Sequence, residues 1–439
     1  MTNLTGSSLE PKMRPFAILW GSQAISLLGS RLVQFALIWW ITQETGSATI
    51  LAVSTLVALV PQALLGPFIG ALVDRWNRKR VMLFADTAIA VVTLLLAILF
   101  ALNVIQVWHI LLIQFLRALG GIFHFAAMTS STTLMVPSRH FTRIQGLNST
   151  LQGIMNIVSG PLAAFLMIVM PIGSILLIDV GTAALAVFTL ILTVVPQPEG
   201  KLEVEGAPTS TLWQDLRAGF RYVWSWNGIR DIAIIATFIN LLLTPAGSLL
   251  PVLVTNHFSG GAQELGWMQS ALGFGIIGGG ILLSIWGGSR RKMQTSMTGI
   301  LLLGLTHIGI GLVPDNWYLP TIGAFLFMGA LNPIINGPIL ATLQSSVQPE
   351  MQGRVFTLIF SLATAATPLG LMIAGPLADQ YGVQSWYIFA GIGCFVLGFF
   401  ALLRPSIRAL DEQAQQAVGS PSQAAVQTEP LGINLQGDS

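Results

Sequence analysis

"GALVDRWNRKRV", residues 70–81, carries five charged residues in twelve, within a 439-residue chain that is 9% charged and 53% hydrophobic. A soluble chain of that length needs charge over its surface, so a mean hydropathy of +0.74 places this one in lipid. The stretch joins two apolar runs, 48–73 and 80–102, each long enough for a bilayer crossing of roughly 20 residues. Working outward, similar runs fall at 16–41, 107–136, 146–170 and 172–195, then at 229–254, 265–287, 294–313, 317–343, 355–378 and 385–403. The predicted fold class is an all-α integral membrane protein with twelve transmembrane helices in two six-helix bundles.

Lys and Arg accumulate in cytoplasmic loops. Of the 20 basic residues, all but Arg31 and Arg117 lie at the N-terminus, in every second loop or at the C-terminus. Both termini are therefore expected to be cytoplasmic. The net charge of +2 is topological and implies no nucleic-acid partner. The first apolar run is too long for a cleavable signal and lacks a small-residue cleavage pattern, so it is expected to act as its own insertion signal. Cys394, the single cysteine, excludes an intrachain disulfide and reads as a packing residue.

The polar stretch after residue 195 divides the spans six and six. Residues 1–195 read as the N-terminal bundle, 196–228 as a cytoplasmic linker, 229–404 as the C-terminal bundle and 405–439 as a tail too poor in bulky apolar residues to order. Within the linker, Leu212, Leu216, Phe220 and Val223/Trp224 recur at helical spacing with Arg217 and Arg221 on another face. That pattern predicts a lateral helix, lying in the membrane interface or packed on the cytoplasmic loops. The halves repeat each other: "SGPLAA" at 159–164 and "AGPLAD" at 374–379 occupy matching spans, and "GGSRRKM" after span eight matches the opening stretch without its acid.

The opening stretch resembles the signature of the major facilitator superfamily, G-x-L-x-D-R-x-G-R-K/R, through Gly70, Leu72, Asp74, Arg75, Arg78 and Lys79. Asn77 replaces the second Gly, a residue that tolerates the left-handed backbone of a tight turn. The resemblance implies the major facilitator fold and a conformational latch. In that family the acid sits against the positive N-terminal end of span eleven when the cytoplasmic side is shut. Such a contact contributes about 0.3–2 kcal/mol, and about 1.4 kcal/mol shifts an equilibrium tenfold. Asp86, two turns into span three, is expected to neutralise the neighbouring arginines and tighten this latch.

Two further family patterns appear. "RALGG" at 117–121 resembles a motif whose Arg takes part in proton coupling, and Gly160-Pro161 resembles the helix-bend centre of an exporter motif, although Ala163 and Ala164 stand where glycines are expected. Most of the chain is similar to the macrolide-efflux type of bacterial drug exporter, through "GSQAISLLGS", "QFALIWWITQETGSAT", "LVPQALLGPFIGALVDRWNRKRVMLFAD" and "LIDVGTAAL". This implies a bacterial plasma-membrane antiporter.

Ionisable residues within spans are costly and are functional candidates. Arg31 and Asp179 reach similar depths in spans one and six, so an Arg31–Asp179 pair is expected, as a fixed strut or a coupling element. Arg117 needs an acid, carbonyls or water from elsewhere. His124, seven residues on, shares its face and could exchange protons, or be a hydrogen-bonded packing residue. In the family, spans one, four, seven and ten line the central cavity, which here implies Gln23, Gln34, Trp39, Phe238, Asn240, Asn332 and Asn336 as its walls. Pro333 and Pro338 flank the last two, where a broken helix would expose carbonyls. Neutral amides and aromatics suit a bulky amphipathic cargo. Gly273, Gly275, Gly278, Gly279 and Gly280 in span eight allow close helix approach and rocking of the halves.

The expected function is thus a proton-driven exporter of amphipathic, macrolide-like drugs working by alternating access, as a monomer. Export of a siderophore or other endogenous metabolite is the nearest alternative, and an embedded enzyme or scaffold the alternative of another class. No Walker sequence, dinucleotide fingerprint or H-E-x-x-H metal pair occurs, so no cofactor or metal is expected.

Overall fold

The computed structural model describes residues 13–73, 75–137, 140–197, 212–289 and 291–411, and among them every regular element is helical. The N-terminal half comprises α1 (Met13–Thr45), α2 (Ala48–Val73), α3 (Arg78–Ala101), α4 (Val107–Met135), α5 (Phe141–Val169) and α6 (Ile172–Leu192). A lateral helix, α7 (Leu212–Ser225), precedes the second half. That half comprises α8 (Asn227–Ser248), α9 (Leu250–Val252) with a π-helical turn over Leu253–His257, α10 (Ala262–Trp286), α11 (Lys292–Leu312), α12 (Tyr318–Ser346), α13 (Pro349–Tyr381) and α14 (Val383–Leu403). Twelve of these helices are long and apolar enough to cross a membrane. Helices satisfy every backbone group internally, which lipid requires.

The predicted spans are present but several are longer. α1 starts at Met13 and α13 at Pro349, because the helical backbone continues through polar turns beyond the apolar stretch. Within the first half α1 packs on α6, and α3 on α4 and α6; within the second, α11 packs on α14 and α10 on α12. The halves meet through α2 against α13 and α5 against α10.

Small residues set these approaches. A Cβ on Gly275 or Gly279 would collide with the α12 backbone at Leu326 and Ala330. These two glycines therefore tighten packing inside the second bundle and do not serve rocking, while Gly278 and Gly280 face open space. Of the five, Gly273 alone meets the other half, at Ile157 of α5.

A helix, α7, occupies Leu212–Ser225 of the linker. Val223 is buried in the core of the second half, and α7 contacts α8 and α13. Phe220 and Trp224 stack on each other at 4.4 Å and stay exposed. One face thus docks on protein while an aromatic pair is left outside it. The side chains of Leu212 and Leu216 lie outside the described residues. The tail differs from expectation at its start: residues 405–411 are helical, with Ile407 and Leu410 buried. Leu410 packs on Gly228 of α8, whose missing side chain makes room for it. Ile407 and Leu410, together with Ser406 bonded to Asp231 and Asp411 bonded to Met293 N, dock this turn although the tail's composition is polar.

Candidate functional site

Between the halves lies a cavity of about 810 Å³. Its walls include Ile232 of α8, Met297 of α11, Leu343 of α12 and Phe356 of α13. Ala246 at the far end of α8, Leu250 just beyond it and Tyr387 near the start of α14 also line it, so the cavity runs through most of the depth of the second bundle. Gln34, Asn240, Asn332 and Asn336 line it as predicted. Asn336 Nδ2 donates to the Asn332 carbonyl at 3.0 Å, and α12 runs unbroken through Pro333 and Pro338. The expected break is absent.

Three predicted wall residues face elsewhere. Gln23 is turned into the first bundle, where Nε2 donates to Asp86 Oδ2 at 3.1 Å. Trp39 is buried in the core. Phe238 is exposed and off the cavity face of α8, since Ile235, Ile239 and Asn240 occupy that face. Gln269 of α10 and Asn156 of α5 are wall residues that the sequence reading missed. Arg31 is the one permanently charged wall residue among those described.

Arg31 does not pair with Asp179. Its Nη2 donates to Gln152 Oε1 of α5 at 3.2 Å. Asp179 instead receives Arg117 Nη1 at 2.7 Å on Oδ2 and the Ser30 hydroxyl at 3.0 Å on Oδ1. The same guanidinium contacts Thr93 Oγ1. Depth along α1 and α6 matches, as counted, but the two residues differ in azimuth: Ser30 faces α6, and its neighbour Arg31 turns about 100° away toward α5. Gly29 permits this close crossing, because a Cβ there would clash with Thr182 and Asp179.

A second network lies nearer the termini. His124 Nδ1 is 2.6 Å from Asp86 Oδ1, and Gln23 holds the other carboxylate oxygen. Asp86 thus pairs with a histidine instead of neutralising the basic loop. Arg78 Nη1 donates to the Ser130 carbonyl at 2.7 Å and Lys79 Nζ to Ile191 O at 2.8 Å. Asn77 is not left-handed: at φ −68° it is the N-cap of α3, with Oδ1 accepting from Arg80 N at 3.1 Å. An amide at an N-cap is the ordinary choice. Arg75 is exposed, Gly70 has open space around its Cα, and Asp74 lies outside the described residues.

The side away from the termini is closed. Asp379, at the end of α13, accepts from Ala48 N at 2.6 Å, Thr49 N at 3.0 Å and Ser47 Oγ at 2.9 Å. A carboxylate from one bundle thereby caps the first turn of a helix in the other. Beside it, Asn256 Nδ2 donates to Gly46 O at 3.3 Å. Gly160-Pro161 packs on Gly266 of α10, and Gly375 on Thr49 of α2, so each copy of the repeated Gly-Pro lies in an interface between bundles. Asp379 has no counterpart in the first copy, where Ala164 stands. The facing helix α10 is served by its own Glu264, which accepts from Gly261 N at 2.8 Å.

Two six-span bundles that touch through Asp379 and Asn256 at one end, with a cavity lined by helices of both between them, have the architecture of a membrane transporter. The model of the Major Facilitator Superfamily matches residues 19–366 and 232–430, and the chain belongs to that superfamily. It is 29% identical to Macrolide efflux protein A of Streptococcus pyogenes over 396 residues, covering 90% of this chain and 97% of that one. It is 28% identical to Multidrug efflux pump Tap of Mycolicibacterium fortuitum over 400 residues, 87% and 94% of the two chains. In fold it is similar to a bacterial homologue of the iron transporter ferroportin in an inward-facing state, with a TM-score of 0.68, 16% identity and coverage of 89% and 99%. A bacterial homologue of the lysosomal transporter Spinster, also inward-facing, gives a TM-score of 0.65 at 15% identity, with coverage of 94% and 100%.

Proposed function

We propose that the protein is a secondary active exporter that moves amphipathic, macrolide-like drugs out of a bacterial cell by alternating access, in exchange for protons. It works as a monomer in the plasma membrane with both termini cytoplasmic. The observation that carries this reading is the cavity: about 810 Å³ of mainly apolar wall with a few neutral amides and Arg31, closed on the side away from the termini. A cavity of this kind favours a bulky amphipath over a phosphorylated sugar, which calls for several cavity arginines. With cytoplasmic termini this is the inward-facing state, in which cargo is loaded. The names of the efflux relatives, over nearly the whole chain, support drug export.

In the opposite state the cytoplasmic ends come together and Asp74 meets the start of α13, with Arg75, Arg78 and Lys79 anchoring the loop. The test is accumulation of a labelled macrolide in efflux-deficient bacteria expressing the wild type or Asp74→Asn, with and without a protonophore. Low accumulation in the wild type that rises when the proton gradient collapses, and is already high in Asp74→Asn, supports both export and the latch. Equal accumulation in every case, with the protein present in the membrane, removes the macrolide reading.

A further inference from the structure

The first bundle contains two acid–base networks of different chemistry. In one, Asp179 faces a guanidinium, which does not release its proton in a protein. With Arg117 at 2.7 Å and the Ser30 hydroxyl at 3.0 Å, both oxygens of this carboxylate are committed to donors within the bundle. In the other, the carboxylate faces an imidazole, a group that exists with one ring proton or two. His124 Nδ1, itself buried, stands 2.6 Å from Asp86 Oδ1, while the two side chains are 21% and 10% exposed, so the contact is sheltered and the side chains are not sealed from solvent.

The pair is also tied to the moving parts. Gln23 Nε2 donates to Asp86 Oδ2, and Gln23 belongs to α1, the helix that places Arg31 and Gln34 in the cavity wall. One turn before Gln23, Trp20 Nε1 donates to Asn148 Oδ1 of α5 at 2.8 Å, and α5 forms the interface with α10. A change of charge at Asp86–His124 alters a hydrogen bond that positions α1.

The surrounding charges are few. α3 carries Arg78, Lys79 and Arg80 about two turns toward its start, Arg78 bonded to Ser130 O and Lys79 to Ile191 O. On α4 the nearest charge is Arg117, two turns the other way and committed to Asp179, which is the one titratable residue of α6. α1 carries Arg14 and Arg31 on either side of Gln23, and α5 carries Arg143 near its start. α2 carries none, and Asp74 follows it.

We propose that Asp86–His124 is the site that takes up and gives back the exchanged proton, with Gln23 conveying its state to α1, and that Arg117–Asp179 is a fixed strut. The step moves one proton between water and the pair, onto the imidazole nitrogen lone pair, and breaks no other bond. This rests on the proton-exchange reading above.

The test begins without cargo. The full chain is labelled with ¹⁵N-histidine, placed in lipid nanodiscs, and its imidazole resonances followed with pH; the resonance missing from His124→Gln is that of His124. It is followed over about pH 5 to 8, where it is expected to move with pH and to move differently in Asp86→Asn. A His124 signal constant over that range, or one indifferent to Asp86→Asn, overturns the proposal. In proteoliposomes holding a labelled macrolide, His124→Gln and Asp86→Asn are then expected to lose accumulation driven by a pH gradient. Both keep exchange of labelled for unlabelled macrolide, which a merely misfolded variant loses too. Gradient-driven accumulation retained in both variants also overturns it. A wild type that exchanges macrolide but ignores the gradient, while His124 titrates as expected, refutes the proton-exchange reading instead.

Discussion

The carboxylate of Asp379 lies 2.6 Å from the amide nitrogen of Ala48, 331 residues away in sequence and in the other bundle. It accepts two helix-start amides and the Ser47 hydroxyl at once, so one side chain from α13 completes the N-terminus of α2. Ser47 alone reaches only Ile50 N, at 3.3 Å. This contact exists only while this side of the molecule is closed, and it therefore weights the closed state.

Asp379→Ala should open that side more often. Loss of a helix cap costs about 1 kcal/mol, which shifts a two-state ratio about fivefold. Spin labels on α2 and α13 near residues 49 and 379, in a Cys394→Ser background, should show the long-distance population rise by that factor. Asp379→Asn, which keeps one acceptor oxygen, should fall between. An unchanged distance distribution in Asp379→Ala would falsify the clamp.

The glycines beneath the clamp make a steric version of the same prediction. A Cβ on Gly375 would sit 2.8 Å from Thr49 Cα, and backbone cannot retreat as a flexible side chain can. Gly375→Ala should therefore force α13 from α2 and shift the same spin-label distances outward. Gly66→Ala, also on α2, meets nothing and is the matched control.

Arg117 and Asp179 should behave as a unit in stability. Removing one partner of a buried pair strands a charge and costs about 3–5 kcal/mol, whereas replacing both with apolar residues is often close to neutral. In thermal unfolding of detergent-solubilised protein, Asp179→Leu and Arg117→Met should each lower Tm well below the wild type, and the double variant should recover most of the loss. Arg31→Met should leave Tm nearly unchanged, because its partner is the exposed amide of Gln152. The opposite ranking would restore the Arg31–Asp179 pairing that helix depth alone had implied.

That pairing shows where sequence reading stops. Twelve apolar runs and a basic loop pattern specify helices, their number and their order, because lipid leaves few alternatives. Which way a residue points around its helix depends on neighbours contributed by distant segments. Asp86 and His124 are both conspicuous as ionisable groups in spans, yet nothing in their spacing brings α3 and α4 into the register that joins them. Asp379 is visible as the residue that follows the repeated "GPLA", but its role depends on α2 arriving opposite. Phe238 and Trp39 have the right character for a cavity wall and the wrong azimuth.

Asp411 gives a prediction that depends on pH. It lies beyond α14 and accepts from Met293 N at 2.8 Å and Gln294 N at 3.4 Å, at the start of α11. It thereby supplies the acid missing from the loop after span eight. Burial raises its pKa above the usual carboxylate value, against the two amide bonds and the charges of Arg291 and Lys292, which lower it. With the docked pKa above the undocked one, the docked turn binds more protons. The contribution of this group to docking is therefore fully present below the undocked pKa of about 3.9 and declines as pH rises through the docked value. Asp411→Asn, which can still accept a backbone hydrogen bond without ionising, should abolish that decline, and Asp411→Leu should lose the cap at every pH. Comparing hydrogen exchange at Met293 and Gln294 in the three proteins from pH 4 to 8, each corrected for intrinsic rate, checks this. Wild type and Asp411→Asn showing the same pH trend would mean that ionisation of Asp411 is not coupled to docking of the turn.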